Sequence, residues 1–167
     1  MSISERLLPE FDREMGNTRK TLERVPVEKF AWKPHEKSGS MGWLASHLAT
    51  VARFATIAIT TDSLDLAVPS AMRGVQIVES REELLKSFDE TSAAARAAIA
   101  GASDEHFAKP WTLLFGEKTL MTLPRFDVVR NYMMNHHIHH RAQLTVYLRM
   151  NDVALPALYG PSADESM

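Results

Sequence analysis

The apolar positions of the chain recur every three or four residues in four stretches, which predicts a mainly helical protein. The first predicted helix ends before Pro26, because proline fits only the first turn of a helix. Its stripe consists of Leu8, Phe11, Met15, Thr18, Leu22 and Val25. The second predicted helix follows the N-cap candidates Ser38 and Ser40. Its stripe consists of Trp43, Leu44, His47, Val51, Phe54 and Ala58.

The other two predicted helices lie in the second half of the chain. The third begins at a capping box formed by Ser80 and Glu83, and it ends at Gly101. The fourth runs from about Pro124 to about Arg149 and is the longest. Its inward stripe is predicted to consist of Phe126, Val129, Met133, His136, His137, His140, Leu144 and Tyr147. The sequence therefore predicts an all-α fold, a four-helix bundle.

The connections between these helices differ in character. Residues 61–79 form a long link between the second and third helices, as expected for a crossover along a bundle. Residues 111–115 and 119–122 flank Gly116, and this pattern predicts a small hairpin before the fourth helix. The sequence contains no internal repeat, and its length is typical of one domain, so we expect a single domain over residues 1–167.

Composition and charge narrow the function classes. The chain has 167 residues and is 45% hydrophobic, which is sufficient for one buried core. Its 21 acidic residues slightly outnumber its 19 basic residues, so the basic surface of a nucleic-acid-binding protein is not expected. No stretch has the pattern of a signal peptide or a membrane span, so we also expect no membrane partner.

The sequence contains no cysteine. Disulfides, thiolate nucleophiles and thiolate metal ligands are therefore excluded, and any metal ion must be held by histidine or carboxylate groups. A protein without disulfides is typical of a reducing compartment, which predicts a cytoplasmic location.

Four histidines crowd into residues 136–140, and helical geometry separates them. His136 and His140 lie one turn apart on the same face, so their imidazoles can reach one metal ion. His47 is the other histidine in the middle of an apolar stripe, and it supplies the third ligand. Three neutral imidazoles leave coordination positions open, which is typical of catalytic metal sites. Because no carboxylate completes the set, we expect Zn or Ni.

Several neighbours are candidates for supporting roles around this site. His137 lies at the border of the ligand face and is expected to contact the ligands, to line a pocket or to lie at an interface. Trp43 lies one turn before His47 and is expected either to form one wall of the site or simply to pack against its neighbours. Gln143 is a candidate hydrogen-bond partner of a ligand. Arg141 is interpreted either as a pocket residue or as a partner in a solvent-exposed ion pair. The sequence assigns no catalytic residue.

Three segments of the sequence resemble a known protein family. Residues 40–48, 136–144 and 147–153, with the Tyr-Gly-Pro sequence that starts at Tyr159, resemble the DinB-like (YfiT-like) family of metalloproteins. The resemblance covers nearly the whole chain, although Ala142 stands where the family motif has glycine. It implies a four-helix bundle, often a homodimer, with Ni or Zn on three histidines that correspond to His47, His136 and His140. Relatives include thiol-dependent S-transferases and a maleylpyruvate isomerase.

Three functions remain open at this stage. The first is a metal-dependent enzyme with transferase chemistry, of the thiol S-transferase kind, or hydrolase chemistry on a small molecule, with a low-molecular-weight thiol as a candidate partner. The second is a non-catalytic bundle in which the metal ion is structural. The third is a metal-free bundle that dimerises through an apolar helix face.

Overall fold

Helices form most of the protein in the computed structural model, which describes residues 1–68 and 75–166. The helices that pack into the main body are α1 (Ile3–Leu22), α2 (Met41–Val51), α3 (Arg53–Thr60), α4 (Arg81–Gly101), α5 (Asp104–Ala108), α6 (Arg125–Asp127) and α7 (Asn135–Arg149). Helix α4 packs against α1, α2 and α3, and α7 packs against α1 and α2. Among the described residues, no helix is long and apolar enough to cross a membrane.

The helix starts follow local capping chemistry. Ser40, Ser80 and Ser103 each accept a hydrogen bond from the backbone N–H three residues later. At α4 the predicted capping box forms only in part, because the Glu83 carboxylate accepts from the N–H of Glu79, at 3.2 Å, instead of that of Ser80. A complete capping box is present at the start of α1, between Ser2 and Glu5.

The predicted mainly helical architecture is confirmed, but a three-stranded sheet lies beside the helices, so the fold is not purely α-helical. Its strands are β1 (Ser63–Asp65), β2 (Pro110–Phe115) and β3 (Lys118–Pro124), in the order β1-β2-β3. The predicted hairpin is confirmed as the antiparallel pair of β2 and β3, which turns at Gly116 with a φ of 59°. Strand β1 pairs in parallel with β2, and its three residues are too few to show an alternating pattern in the sequence.

The second predicted helix is interrupted where α2 ends and α3 begins. The hydroxyl of Thr50 donates to the carbonyl oxygens of Ser46 and His47 at 3.2 and 3.1 Å. Hydrogen bonds of this kind compete with the helical backbone and bend helices. The long link that follows includes Pro69 and Gly74, and both lie outside the described residues.

The last helical segment is not a regular α-helix throughout. Residues Val128–Met134 form a π-helix between α6 and α7. Because a π-helix spaces its hydrogen bonds five residues apart, it shifts which side chains face the core. The buried residues of α7 are His137, Arg141, Leu144 and Leu148. His136, His140 and Tyr147, which were predicted to point inward, lie beside this stripe and remain partly exposed.

Candidate metal centre

Three histidines from two helices meet where α2 and α7 pack together. His47 lies in the middle of α2, and His136 and His140 lie in the first two turns of α7. Each offers one ring nitrogen, and these three atoms lie within 4.8 Å of one another. We call His47, His136 and His140 the histidine trio. All three side chains are partly exposed, so the trio faces solvent at the edge of the core.

The local sequence explains this convergence. The four-residue spacing of His136 and His140 places their ring centroids 4.4 Å apart on one side of α7. On α2, Leu44 and Leu48 point into the core and fix the helix against its neighbours, so that His47 is presented toward α7. The His47 ring centroid lies 5.2 Å from that of His136 and 4.8 Å from that of His140.

Hydrogen bonds orient two of the rings. The Nδ1 atom of His140 lies 2.6 Å from Oε1 of Gln143, and it donates because a side-chain carbonyl oxygen only accepts. This bond leaves Nε2 of His140 as the nitrogen with a free lone pair. The Nε2 atoms of His47 and His136 lie 2.9 Å apart, so either a proton or a cation must separate their lone pairs.

The electrostatics of the trio favour neutral imidazoles. Burial, together with the neighbouring His140 and His136 rings, lowers the pKa of His47 to about 4. The pKa of His136 is lowered by burial and by His140 and His139. Burial also lowers the pKa of His140, against an opposing effect of its bond to Gln143. Imidazole binds metal ions only when it is neutral, so the trio keeps its ligand atoms available at neutral pH.

The donor set fits a divalent metal ion of borderline softness. Three imidazole nitrogens are typical ligands of Zn and Ni, and they leave further positions for a substrate. The hydrogen bond between Gln143 and His140 matches the outer contacts that orient histidine ligands. The alternative interpretation is a metal-free pair in which His47 and His136 share a hydrogen bond, but that pairing gives His140 no role.

The predicted neighbours divide into two groups. Trp43 lies against the trio, since its ring stacks on His47 with centroids 5.1 Å apart and meets the His140 ring edge-on at 6.4 Å. Gln143 contacts His140, as described above. The structure does not bring His137 or Arg141 into the trio, because both side chains are buried between α1 and α7.

Arg141 belongs to a buried polar network, so the expectation of a solvent-exposed ion pair is wrong. Its guanidinium contacts a carboxylate oxygen of Glu14 at 2.6 Å and the backbone oxygen of Glu14 at 2.9 Å. The hydroxyl of Tyr159 donates to the same carboxylate. Thr18 links this network to His137, whose Nε2 lies 2.9 Å from the threonine hydroxyl. The network ties α1, α7 and the C-terminal segment together.

The network also sets the charge state of its members. Burial alone would raise the pKa of Glu14, but hydrogen bonds from Tyr159 and Arg141 outweigh it and hold the pKa below its ordinary value. Burial and the nearby Arg141 lower the pKa of His137 to about 3. Glu14 is therefore an anion beside the Arg141 cation, and His137 is neutral.

Sequence reasoning missed Glu14 and Tyr159, although one signal was present. Leu7, Phe11, Glu14 and Thr18 recur every three or four residues, and all four are buried on α1. An acidic residue on such a stripe requires a buried cationic partner. Tyr159 was part of the family resemblance, but nothing in the sequence connected it to Arg141, which it reaches from the irregular C-terminal segment.

Comparisons with known proteins agree on one family. The sequence profile of the DinB superfamily matches residues 10–144. The uncharacterized protein YrdA of Bacillus subtilis is 24% identical over 158 residues, which cover 95% of this chain and 89% of YrdA. A DinB-like protein from Bacillus cereus has a similar crystal structure, with a TM-score of 0.72, 19% identity and coverage of 95% of this chain and 98% of that one. The DinB-like protein YjoA of Bacillus subtilis has a TM-score of 0.68, 21% identity and coverage of 90% and 96%.

Proposed function

The chain belongs to the DinB superfamily, and from this premise we propose that it is a metal-dependent enzyme whose histidine trio holds a divalent ion, Zn or Ni. The observation that carries the proposal is the convergence of three imidazole nitrogens from α2 and α7 within 4.8 Å. The ligands are His47, His136 and His140. The reaction is a transfer or a hydrolysis on a small molecule, with a low-molecular-weight thiol as the nucleophile of the transfer.

The metal ion supplies Lewis acidity, which lowers the pKa of a coordinated thiol or water and polarises a carbonyl group. The protein contributes the rest of the site. Gln143 holds the proton of His140 on Nδ1, which leaves the Nε2 lone pair available to a metal ion. Trp43 covers one side of His47 and restricts solvent there. The partial exposure of all three ligands leaves room for a small molecule to approach.

The second candidate function is a bundle in which the ion only holds α2 and α7 together. This alternative is favoured by the position of the trio, which bridges two separate helices. It differs from the enzyme in what the metal-free protein does. Helices α1, α2, α3, α4 and α7 already share an apolar core, so for the enzyme we expect the fold to survive metal removal.

Circular dichroism and activity assays on the same samples separate the two functions. The protein is loaded with Zn or Ni, stripped with a chelator and reloaded. The enzyme proposal predicts an unchanged helical signal in the stripped protein, with thiol transfer or ester hydrolysis lost on stripping and restored on reloading. Loss of helical signal on stripping, with no activity in the loaded protein, would contradict it and favour the structural role.

We also propose that the protein forms a homodimer, as the family resemblance implies, and that it is located in the cytoplasm, as the absence of cysteine predicts. Val146 and Met150 on the last helical turns are each 57% exposed and provide an apolar surface for a second copy. Light scattering during gel filtration tests this proposal. A mass of two chains is expected, and Val146→Lys should reduce it to one chain. A single-chain mass for the native protein would contradict it.

A further inference from the structure

Aromatic rings lie on both sides of the histidine trio, where helices α2 and α3 pack against the π-helix Val128–Met134 and α7. On one side, Trp43 stacks on His47 and contacts His140. On the other side, Phe54 lies 5.3 Å from Tyr132, measured between ring centroids. The ring of Tyr132 is nearly parallel to that of His136, at 10° and 6.2 Å. We call Trp43, Phe54 and Tyr132 the aromatic flank.

The aromatic flank differs from the aromatic residues of the core. Trp111 and Phe88 are almost completely buried, whereas Tyr132 is 43% exposed and Trp43 and Phe54 are partly exposed. A large ring that keeps so much of its surface in water beside a candidate metal site is available to a ligand. The exposed rings therefore continue the surface on which the trio opens.

The backbone presents Tyr132 in an unusual way. Tyr132 lies in the π-helical segment Val128–Met134, one turn before His136. π-Helical turns are rare, and they are frequently found at functional sites. Within the described residues the Tyr132 hydroxyl has no hydrogen-bond partner, and its ring lies nearly parallel to that of His136 and at a tilt of 39° to that of Phe54.

We propose that the aromatic flank is the specificity surface of the site and that it binds the planar, unsaturated ring of the small-molecule substrate, with Tyr132 as the main stacking partner. This inference rests on the proposed function, in which a metal ion on the histidine trio would bind the polar group of the same molecule. Planar rings gain from stacking on exposed aromatic side chains, whereas saturated chains of equal size gain only from area burial. The three flank residues carry no formal charge, so the surface selects for shape and unsaturation.

Binding of three hydroxamates to the Zn-loaded protein tests the proposal. Benzohydroxamate, cyclohexanecarbohydroxamate and acetohydroxamate share one metal-binding group and differ only in the attached ring or methyl group. Titration calorimetry should show that benzohydroxamate binds about tenfold more tightly than the cyclohexyl compound. Tyr132→Ala should abolish this preference, Tyr132→Phe should retain it, and the affinity for acetohydroxamate should stay unchanged in both variants.

Three outcomes would contradict different parts of this account. Normal Zn loading and acetohydroxamate binding, with equal affinities for the planar and saturated rings, would overturn the ring-binding role and leave the metal centre intact. A ring preference that survives Tyr132→Ala would overturn the assignment to Tyr132. Failure of the native protein to bind either Zn or Ni would refute the proposed function itself.

Discussion

Substitution of Glu14 by glutamine probes the buried network behind the metal centre. The Glu14 and Arg141 side chains are only 3% and 2% exposed, so the variant leaves the Arg141 guanidinium buried without an anionic partner. Breaking one side of a buried ion pair costs about 3–5 kcal/mol. The guanidinium keeps its bond to the backbone oxygen of Glu14. We therefore expect the lower end of that range, about 3 kcal/mol of unfolding free energy.

Urea denaturation followed by circular dichroism measures this loss. Such a decrease corresponds to a melting temperature lower by roughly 6–12 °C in a chain of this length. Asp12→Asn is the matched control, because Asp12 lies on the same helix and pairs with Arg96 at the surface. The control should leave the denaturation midpoint nearly unchanged.

The double variant Glu14→Leu with Arg141→Leu completes this experiment. Replacement of both partners of a buried ion pair by apolar residues is often nearly neutral, so much of the lost stability should return. A loss below about 1 kcal/mol for Glu14→Gln would refute the burial argument. A double variant as unstable as the sum of its single variants would refute the coupling between the two side chains.

Two further predictions concern the histidines and their partners. The pKa values of His47 and His137 in the folded protein lie at about 4 and about 3, below the ordinary 6.5. At pH values between these folded-state pKa values and 6.5, the unfolded chain therefore binds more protons than the folded chain. Stability of the metal-free protein should be fully present above pH 6.5 and fall toward pH 4, and urea midpoints independent of pH would contradict this. Gln143→Leu should weaken Zn binding about 10–100-fold in a chelator competition assay, and Gln143→Glu should restore it. Equal affinities in all three proteins would exclude this role for Gln143.

The sequence predicted the features that depend on local spacing. Capping serines and the three-to-four-residue period located the main helices, and the four-residue spacing of His136 and His140 placed them on one face. The position of His47 in an apolar stripe was sufficient to propose it as the third member, and the structure brings it to the other two. These features follow from the geometry of a single helix.

The features that the sequence did not reveal depend on contacts between distant segments. The Arg141 guanidinium is buried against Glu14, which lies 127 residues away, and the hydroxyl of the exposed Tyr159, 18 residues away, contacts it from the C-terminal segment. Strand β1 forms because β2 offers it a parallel partner. The π-helical segment moves Arg141 onto the buried stripe and leaves His140 beside it, a shift that periodicity alone does not encode.

Metal content of untagged protein tests the central claim most directly. Each protein is incubated with Zn or Ni, passed through gel filtration and then submitted to elemental analysis. The proteins compared are the native chain, His47→Ala, His136→Ala and the control His139→Ala. We predict about one ion per native chain and per His139→Ala chain, and almost none in the other two variants. A native chain without metal, or equal loss in His139→Ala, would contradict a metal centre built on the histidine trio.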